Sequence, residues 1–356
     1  MEMQSWTRNV RKVIPYTPGE QPKVKNIIKL NTNENPYPPS PLVGKAISEV
    51  SMDSLRKYPD PACVNLVQAI ADYHKKDSSR VFVGVGSDDV LAMSFLTFFN
   101  SDKPVLFPDI TYSFYDVWAD LFRIPYVQKP LDDSFKIKAS DYEEECGGIV
   151  IPNPNAPTGV AEPVEFFEKI VAAHPECVVI IDEAYVDFGS KSCIDLTDKY
   201  DNVLVVRTFS KSRAMAGNRI GYAIGSPELI KYLSDCKFSF NSYTMDTITL
   251  AAGVASIADD EYFKEKIDAV IATREWTKEQ LSSLGFTFPD SMSNFIFAKH
   301  ESVNAVFIFE ELKKRGIFVR HFSKPERIAD YLRISIGTDE EMQRLIKNIK
   351  EILGVK

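Results

Sequence analysis

Two kinds of apolar pattern run along the chain. From Gly84 to about Gly225, short unbroken apolar runs rich in Val and Ile recur: Lys103-Pro-Val-Leu-Phe107, Gly148-Ile-Val-Ile151, Val178-Val-Ile-Ile181, Val203-Leu-Val-Val206 and Arg219-Ile-Gly-Tyr-Ala-Ile224. Such runs belong to strands buried on both faces of a sheet. Repeated β-then-α units predict an α/β fold with a mainly parallel sheet covered by helices. Ahead of them, residues 1–40 are rich in Pro and Asn and predict an extended arm that packs with a smaller domain or a partner subunit. Beyond them, residues 247–284 read as mostly helix with solvated Glu/Lys-rich faces. Strands at 293–299 and 331–336 and an amphipathic helix at 339–353 complete a smaller unit. The expected organisation is an arm (1–40), a large α/β domain (41–250), and a helical connection with a small C-terminal α/β domain (251–356).

Composition narrows the class without naming a function. A chain of 356 residues with 44% hydrophobic and 26% charged residues is an ordinary globular protein, long enough for two domains. Its net charge of −8 leaves no nucleic-acid footprint. The five cysteines (63, 146, 177, 193 and 236) form no Cys-x-x-Cys pair, which argues for reduced thiols in a cytoplasmic protein and against a zinc site or disulfide framework. No metal is expected. The four histidines are dispersed; His321, beside Arg320, reads either as a surface residue or as one that approaches a site. No leader-like segment opens the chain, and no apolar run reaches the roughly 18 residues of a membrane span.

Chemistry gathers in three segments. In Arg207-Thr-Phe-Ser-Lys-Ser-Arg-Ala-Met-Ala-Gly-Asn-Arg-Ile-Gly-Tyr222, Lys211 lies between two serines with Arg213 and Arg219 following. Cations and partial burial favour the neutral amine that reacts with an aldehyde, and arginine with serine hydroxyls suits a phosphate. Alone, the segment favours the plainer reading of a basic loop before a strand. Upstream, the apolar run Val178-Val-Ile-Ile181 ends in Asp182-Glu-Ala-Tyr185, at the strand end where α/β sheets bind ligands. Asp182 is there either a turn residue or a carboxylate able to hold a pyridine nitrogen protonated, with Tyr185 in reach of a ring hydroxyl. Before both, Pro152-Asn-Pro-Asn-Ala-Pro-Thr-Gly159 is a proline-stiffened turn.

Taken in order, these motifs resemble the fold-type I, aspartate-aminotransferase-like pyridoxal-phosphate enzymes. The likeness runs from about Tyr16 to the C-terminus. It is nearest to the histidinol-phosphate aminotransferase family, through Leu30-Asn-Thr-Asn-Glu-Asn-Pro-Tyr-Pro-Pro-Ser40, Arg56-Lys-Tyr-Pro-Asp60, Gly84-Val-Gly-Ser-Asp-Asp89, Gly316-Ile-Phe-Val-Arg-His321 and Tyr331-Leu-Arg-Ile-Ser-Ile-Gly-Thr338. The resemblance implies pyridoxal 5'-phosphate held as an aldimine on Lys211, with Asp182 at the ring nitrogen and Tyr185 at the ring hydroxyl. Ser210, Arg219, Ser87 and the backbone amides of Gly86, Ser87 and Asp88 would hold the phosphate, the last three at a helix N-terminus; Arg213 is a further candidate. Tyr112 would stack on the ring, or else pack in the core. Tyr58 would reach the cofactor phosphate of a neighbouring subunit, making a homodimer with shared active sites.

Two positions depart from the family pattern. Ala156 stands where relatives carry Asn before Pro-Thr-Gly, so Asn155 is a candidate substitute, or Tyr185 bonds the ring hydroxyl alone. The loop after Lys211 also lacks the usual small-aromatic-Gly-Leu-Ala-Gly pattern. Arg333 and Arg320 are the implied anion ligands of the substrate, with Tyr16 and Asn33 on the N-terminal wall; Arg320 also reads as a surface ion pair. The implied reaction is ping-pong transfer of the amino group of L-histidinol phosphate to 2-oxoglutarate in histidine biosynthesis. A threonine-phosphate decarboxylase-like lyase, an aromatic amino acid aminotransferase and a non-catalytic cofactor-binding module remain as other readings.

Overall fold

The computed structural model describes residues 5–23 and 26–355; positions 1–4, 24 and 25 of the expected arm, and 356, lie outside the described residues. In chain order the strands are β1 (Ile28–Lys29), β2 (Val81–Gly84), β3 (Val105–Pro108), β4 (Tyr126–Lys129), β5 (Gly148–Pro152), β6 (Val179–Asp182), β7 (Val203–Thr208), β8 (Gly221–Ile224), β9 (Phe286–Thr287), β10 (Phe295–His300), β11 (Ile317–Phe318), β12 (Arg320–His321) and β13 (Leu332–Ser335).

Seven strands form the central sheet in the order β2-β8-β7-β6-β5-β3-β4. From β4 to β7 the pairs are parallel, whereas β8 is antiparallel to both neighbours, β2 and β7. The expectation that 219–224 continues the parallel series is thereby corrected for that strand. Only residues 209–220 join β7 to β8, without an α-helix, and a parallel pair needs a long crossover.

Alternation along the buried strands divides their side chains between two cores. Ile149, Ile151, Val179, Ile181, Val203 and Val205 pack with Leu66 and Ile70 of the helix Val64–His74. Val150, Ile180, Leu204 and Val206 pack with Val90, Leu91 and Phe95 of the helix Ser87–Phe98. Each such side chain contributes roughly 1.5–3 kcal/mol of transfer free energy, so the strands are the rigid frame and their ends are fixed points.

A further core lies around β10 and β13, which pair antiparallel in the sheet β12-β13-β10-β9. Met342, Leu345, Ile346 and Ile349 close it from the helix Asp339–Leu353, which starts in a Thr338–Glu341 capping box. The N-terminal segment joins this core: β1 pairs parallel with β11, and Ile28 and Leu30 are buried in it. The helix Thr247–Ala258 still supplies Ala252 and Ile257 to the large-sheet core, whereas Ile267 of the helix Asp260–Ser283 belongs to the second.

Candidate active site

The carboxyl ends of β3, β5, β6 and β7, together with the segment after β1, surround a cavity of about 180 Å³. Its lining includes Thr32, Glu34, Ser87, Asp88, Tyr112, Ala156, Asp182, Tyr185, Ser210, Lys211 and Arg219. Three segments distant in sequence are thus brought to one place at the end of the sheet where α/β folds bind ligands.

Lys211 follows β7 on a stretch anchored on both sides. Ser212 Oγ donates to Asp187 Oδ2 at 2.6 Å, and Asp187 is also paired with the buried Arg207. Asn35 Nδ2 donates to the carbonyls of Lys211 (3.1 Å) and Ser212 (3.2 Å). With its backbone held, the Lys211 ammonium enters the cavity and donates to the Thr32 carbonyl at 3.3 Å. Arg213 points the other way: it donates to the Ser256 carbonyl at 2.6 Å and stacks over Phe263, outside the cavity lining.

Asp182, the last residue of β6, is 4% exposed. Its Oδ2 accepts from the Tyr115 hydroxyl at 2.8 Å and its Oδ1 from the Ala184 N–H at 3.1 Å. Burial raises the carboxyl from its ordinary 3.8 to about 6, and the two hydrogen bonds pull the other way. A cationic ring nitrogen brought to this carboxylate relieves the cost of its burial. The Tyr185 hydroxyl accepts from Asn33 Nδ2 at 2.9 Å, which leaves its own proton to donate into the cavity.

At the other end of the cavity, Gly86 precedes the helix Ser87–Phe98 without a side-chain cap, so the first helical N–H groups are open to an anion. Arg219 closes over them, donating to Ser210 Oγ (3.3 Å) and to Asp88 Oδ2 (3.2 Å), while Tyr112 donates to Asp88 Oδ1 at 2.7 Å. Gly86 has φ +85°, and a Cβ there would collide with the Arg219 guanidinium; a Cβ on Gly221 would run into the backbone of Gly86 and Ser87. The donor set fits pyridoxal phosphate: a helix terminus, serine and arginine for the phosphate, a buried carboxylate for the ring nitrogen, an aromatic wall and an amine. Asn33 and Arg219 both lie in the left-handed region, at φ 56° and 55°, a conformation that costs on the order of 1–3 kcal/mol and is held by the surrounding contacts.

Other expected site residues stand elsewhere. Asn155 is not in the lining: its amide donates to the Ile110 carbonyl at 2.9 Å and its oxygen accepts from Thr111, so Ala156 faces the cavity in its place. Asn33 lies behind Tyr185 and does not line the cavity. Tyr16 stacks on Phe114 at 4.2 Å. His321 bonds the Ala329 carbonyl at 2.7 Å. Tyr58 is 80% exposed and stacked on Tyr243, outside this chain's cavity.

Arg320 and Arg333 are directly opposed on the antiparallel pair β12 and β13. Among the described residues neither forms an ion pair; Arg333 donates from Nη2 to the Asn31 carbonyl at 3.0 Å, and its buried Nε has no partner. Burial, with Arg320 nearby, lowers Arg333 from its ordinary value, and the Tyr185 and Tyr112 hydroxyls are close enough to act on it. Two guanidiniums thus face each other with no counter-charge among the described residues, and Arg333 reaches the Asn31 carbonyl, next to the cavity-lining Thr32.

Sequence reasoning missed Tyr115, Thr32 and Glu34. Tyr115 sits three residues after Tyr112, but its partner Asp182 is 67 residues away. In the Asn31–Asn35 stretch, bent at Asn31 and Thr32 and left-handed at Asn33, Asn31 and Asn33 turn inward while Thr32 and Glu34 line the cavity; the path of that bend, rather than a residue pattern, decides which side chains face the ligand.

A model of the family "Aminotransferase class I and II" matches residues 25–349. The chain is 49% identical to a histidinol-phosphate aminotransferase of Lactococcus lactis subsp. cremoris, covering 99% of each protein. It is 50% identical to histidinol-phosphate aminotransferase 1 of Hydrogenovibrio crunogenus, covering 98% of each. Among solved structures, the histidinol-phosphate aminotransferase of Sinorhizobium meliloti in complex with pyridoxal-5'-phosphate superposes with a TM-score of 0.84 at 24% identity, over 92% of this chain and 91% of that one. Fold, cavity and end-to-end identity thus converge, and the chain belongs to the class I and II aminotransferases, in the histidinol-phosphate aminotransferase family.

Proposed function

We propose that the protein transfers the amino group of L-histidinol phosphate to 2-oxoglutarate, giving imidazole-acetol phosphate and glutamate by a ping-pong route. The observation that carries this reading is the unpaired Arg320–Arg333 receptor beside a cavity that holds Lys211 and Asp182. It accepts the phosphate of one substrate and a carboxylate of the other, and relatives about half identical over their whole length carry the matching name. When bound, pyridoxal phosphate supplies the reactive aldehyde and an electron-accepting ring.

The chain's own groups do the rest. Lys211 Nζ, steered by the Thr32 carbonyl, is the amine that holds the aldehyde and, once free, the base that takes and returns the proton of the amine-bearing carbon. Asp182, oriented by Tyr115 and the Ala184 N–H, keeps the ring nitrogen protonated. Tyr185, fixed by Asn33, donates to the ring hydroxyl, and Ala156 leaves that contact to it alone. Ser87, Ser210, Arg219 and the helix N-terminus at Gly86 to Asp88 hold the cofactor phosphate, with Tyr112 against the ring.

Tyr58, 80% exposed and stacked on Tyr243, is open to a second copy of the chain, in which it serves the neighbouring site. Among the described residues no helix is long and apolar enough to cross a membrane. Five scattered cysteines with no Cys-x-x-Cys pair support a cytoplasmic assignment. The test is a half-reaction. Histidinol phosphate added to holoenzyme without an acceptor should bleach the visible absorbance of the bound cofactor, and phenylalanine or threonine phosphate should not. Inertness toward histidinol phosphate overturns the substrate assignment; carbon dioxide release from threonine phosphate would favour the lyase.

A further inference from the structure

The strands β5 and β6 carry unlike chemistry at their two ends. At the carboxyl ends lie the proline turn and Asp182. At the amino ends, Cys146, two residues before β5, and Cys177, two before β6, bring their Sγ atoms to 3.7 Å across 31 residues of sequence. The strands are adjacent and parallel, with Ile149 opposite Val179, so the thiols approach from neighbouring strand roots. Cys177 is about 16 Å along the strand from Asp182, well away from the catalytic cavity.

The pair lies in the wall of an open cleft of about 980 Å³, which also holds Lys103, Glu144, His174 and Tyr232. Among the described residues no other two thiols are hydrogen-bonded to one another. Cys146 is buried and Cys177 half-buried, and the two sulfurs are near enough that one can attack a disulfide held in the cleft and the other resolve the product. Cys63 and Cys193, by contrast, are raised by burial.

We propose that Cys146 and Cys177 form a reversible dithiol–disulfide site that reacts with low-molecular-weight disulfides entering the cleft. One thiol of the pair, as its thiolate, attacks one sulfur of R–S–S–R, forming a protein–S–S–R bond and expelling R–S⁻. The other thiol then gives up its proton and attacks the protein sulfur of that bond, forming the Cys146–Cys177 bond and expelling a second R–S⁻. Two protein thiols are oxidised, and one small disulfide is reduced to two thiols.

The test uses reduced, full-length holoenzyme incubated with oxidised glutathione, followed by alkylation, intact mass and peptide mapping. Wild-type protein should become two hydrogens lighter, with Cys146 joined to Cys177 and the change reversed by dithiothreitol. Cys177→Ser and Cys146→Ser should each stop instead at one glutathionyl group on the remaining thiol of the pair. A wild-type protein that stays unmodified, keeps a stable glutathionyl group on either residue, or links other cysteines overturns the proposal.

Discussion

The Tyr115 hydroxyl donates to Asp182 Oδ2 at 2.8 Å, and both side chains are shut away from solvent. A bond to a buried carboxylate is worth roughly 1.5–3 kcal/mol. Tyr115→Phe removes it without opening a cavity, so the affinity of the cofactor-free protein for pyridoxal phosphate should fall about 10- to 100-fold. The pH midpoint of binding should also move upward. Unchanged affinity and midpoint would show that Tyr115 only fills space.

Asp182 links the site to pH. Its folded value, about 6, lies above its ordinary 3.8. The stability this group contributes to the cofactor-free protein is therefore fully present below 3.8 and is lost as the pH rises through about 6, a change of about 3 kcal/mol. A bound pyridinium offsets that loss. The Tm difference between cofactor-loaded and cofactor-free protein should widen between about pH 4 and 7; a constant or shrinking gap contradicts the assignment.

Gly86→Ala places a methyl group on the Arg219 guanidinium and a Cβ at φ +85°. Cofactor affinity should drop by at least about tenfold as Arg219 is displaced from the phosphate site. Gly217→Ala, with open space around its Cβ, is the control and should bind normally. Equal behaviour of the two variants would remove Arg219 from the phosphate site.

Opposed like charges on a sheet cost roughly 0.2–1 kcal/mol, so the Arg320–Arg333 pair is arranged for binding at some expense of stability. Arg320→Met should leave Tm unchanged or higher. Arg333→Met should lower kcat/KM for histidinol phosphate by on the order of 100-fold. A destabilised Arg320→Met, or intact kinetics in Arg333→Met, would point to a structural pair instead.

Lys211→Ala should abolish both the visible absorbance of the bound cofactor and transamination, with kcat down on the order of 10⁴-fold or more. Its Nζ makes one hydrogen bond, to the Thr32 carbonyl, so folding should persist in circular dichroism. Residual turnover near wild type would refute its role.

Much of the large sheet could be read from the chain because its strands are unbroken β-branched runs, and the succession of Asp182, Tyr185 and Lys211 marked the ligand end. Three things could not be read. The direction of β8 depends on what fills the connection before it, not on the strand itself. Which of Asn155 and Ala156 faces the cavity depends on the path of a turn, and which of Thr32 and Asn33 does so depends on the bend at Asn31–Thr32 and the left-handed Asn33. Tyr115 looked like one more core aromatic because it opens the helix Tyr115–Phe122 while its hydrogen-bond partner ends β6.

The pairing of β1 with β11, and the bond from the Asn33 N–H to Ser335 Oγ at a separation of 302 residues, also order events during synthesis. The segment that brings Thr32 to the cavity and Asn33 behind Tyr185 leaves the ribosome among the first residues, yet its seat is made among the last. A nascent chain that has reached β8 already carries Asp182, Lys211 and Arg219 but lacks the seat that holds Thr32 against the lysine. Such long-range closure is slow, and it makes cofactor retention a property of the finished polypeptide rather than of the growing one.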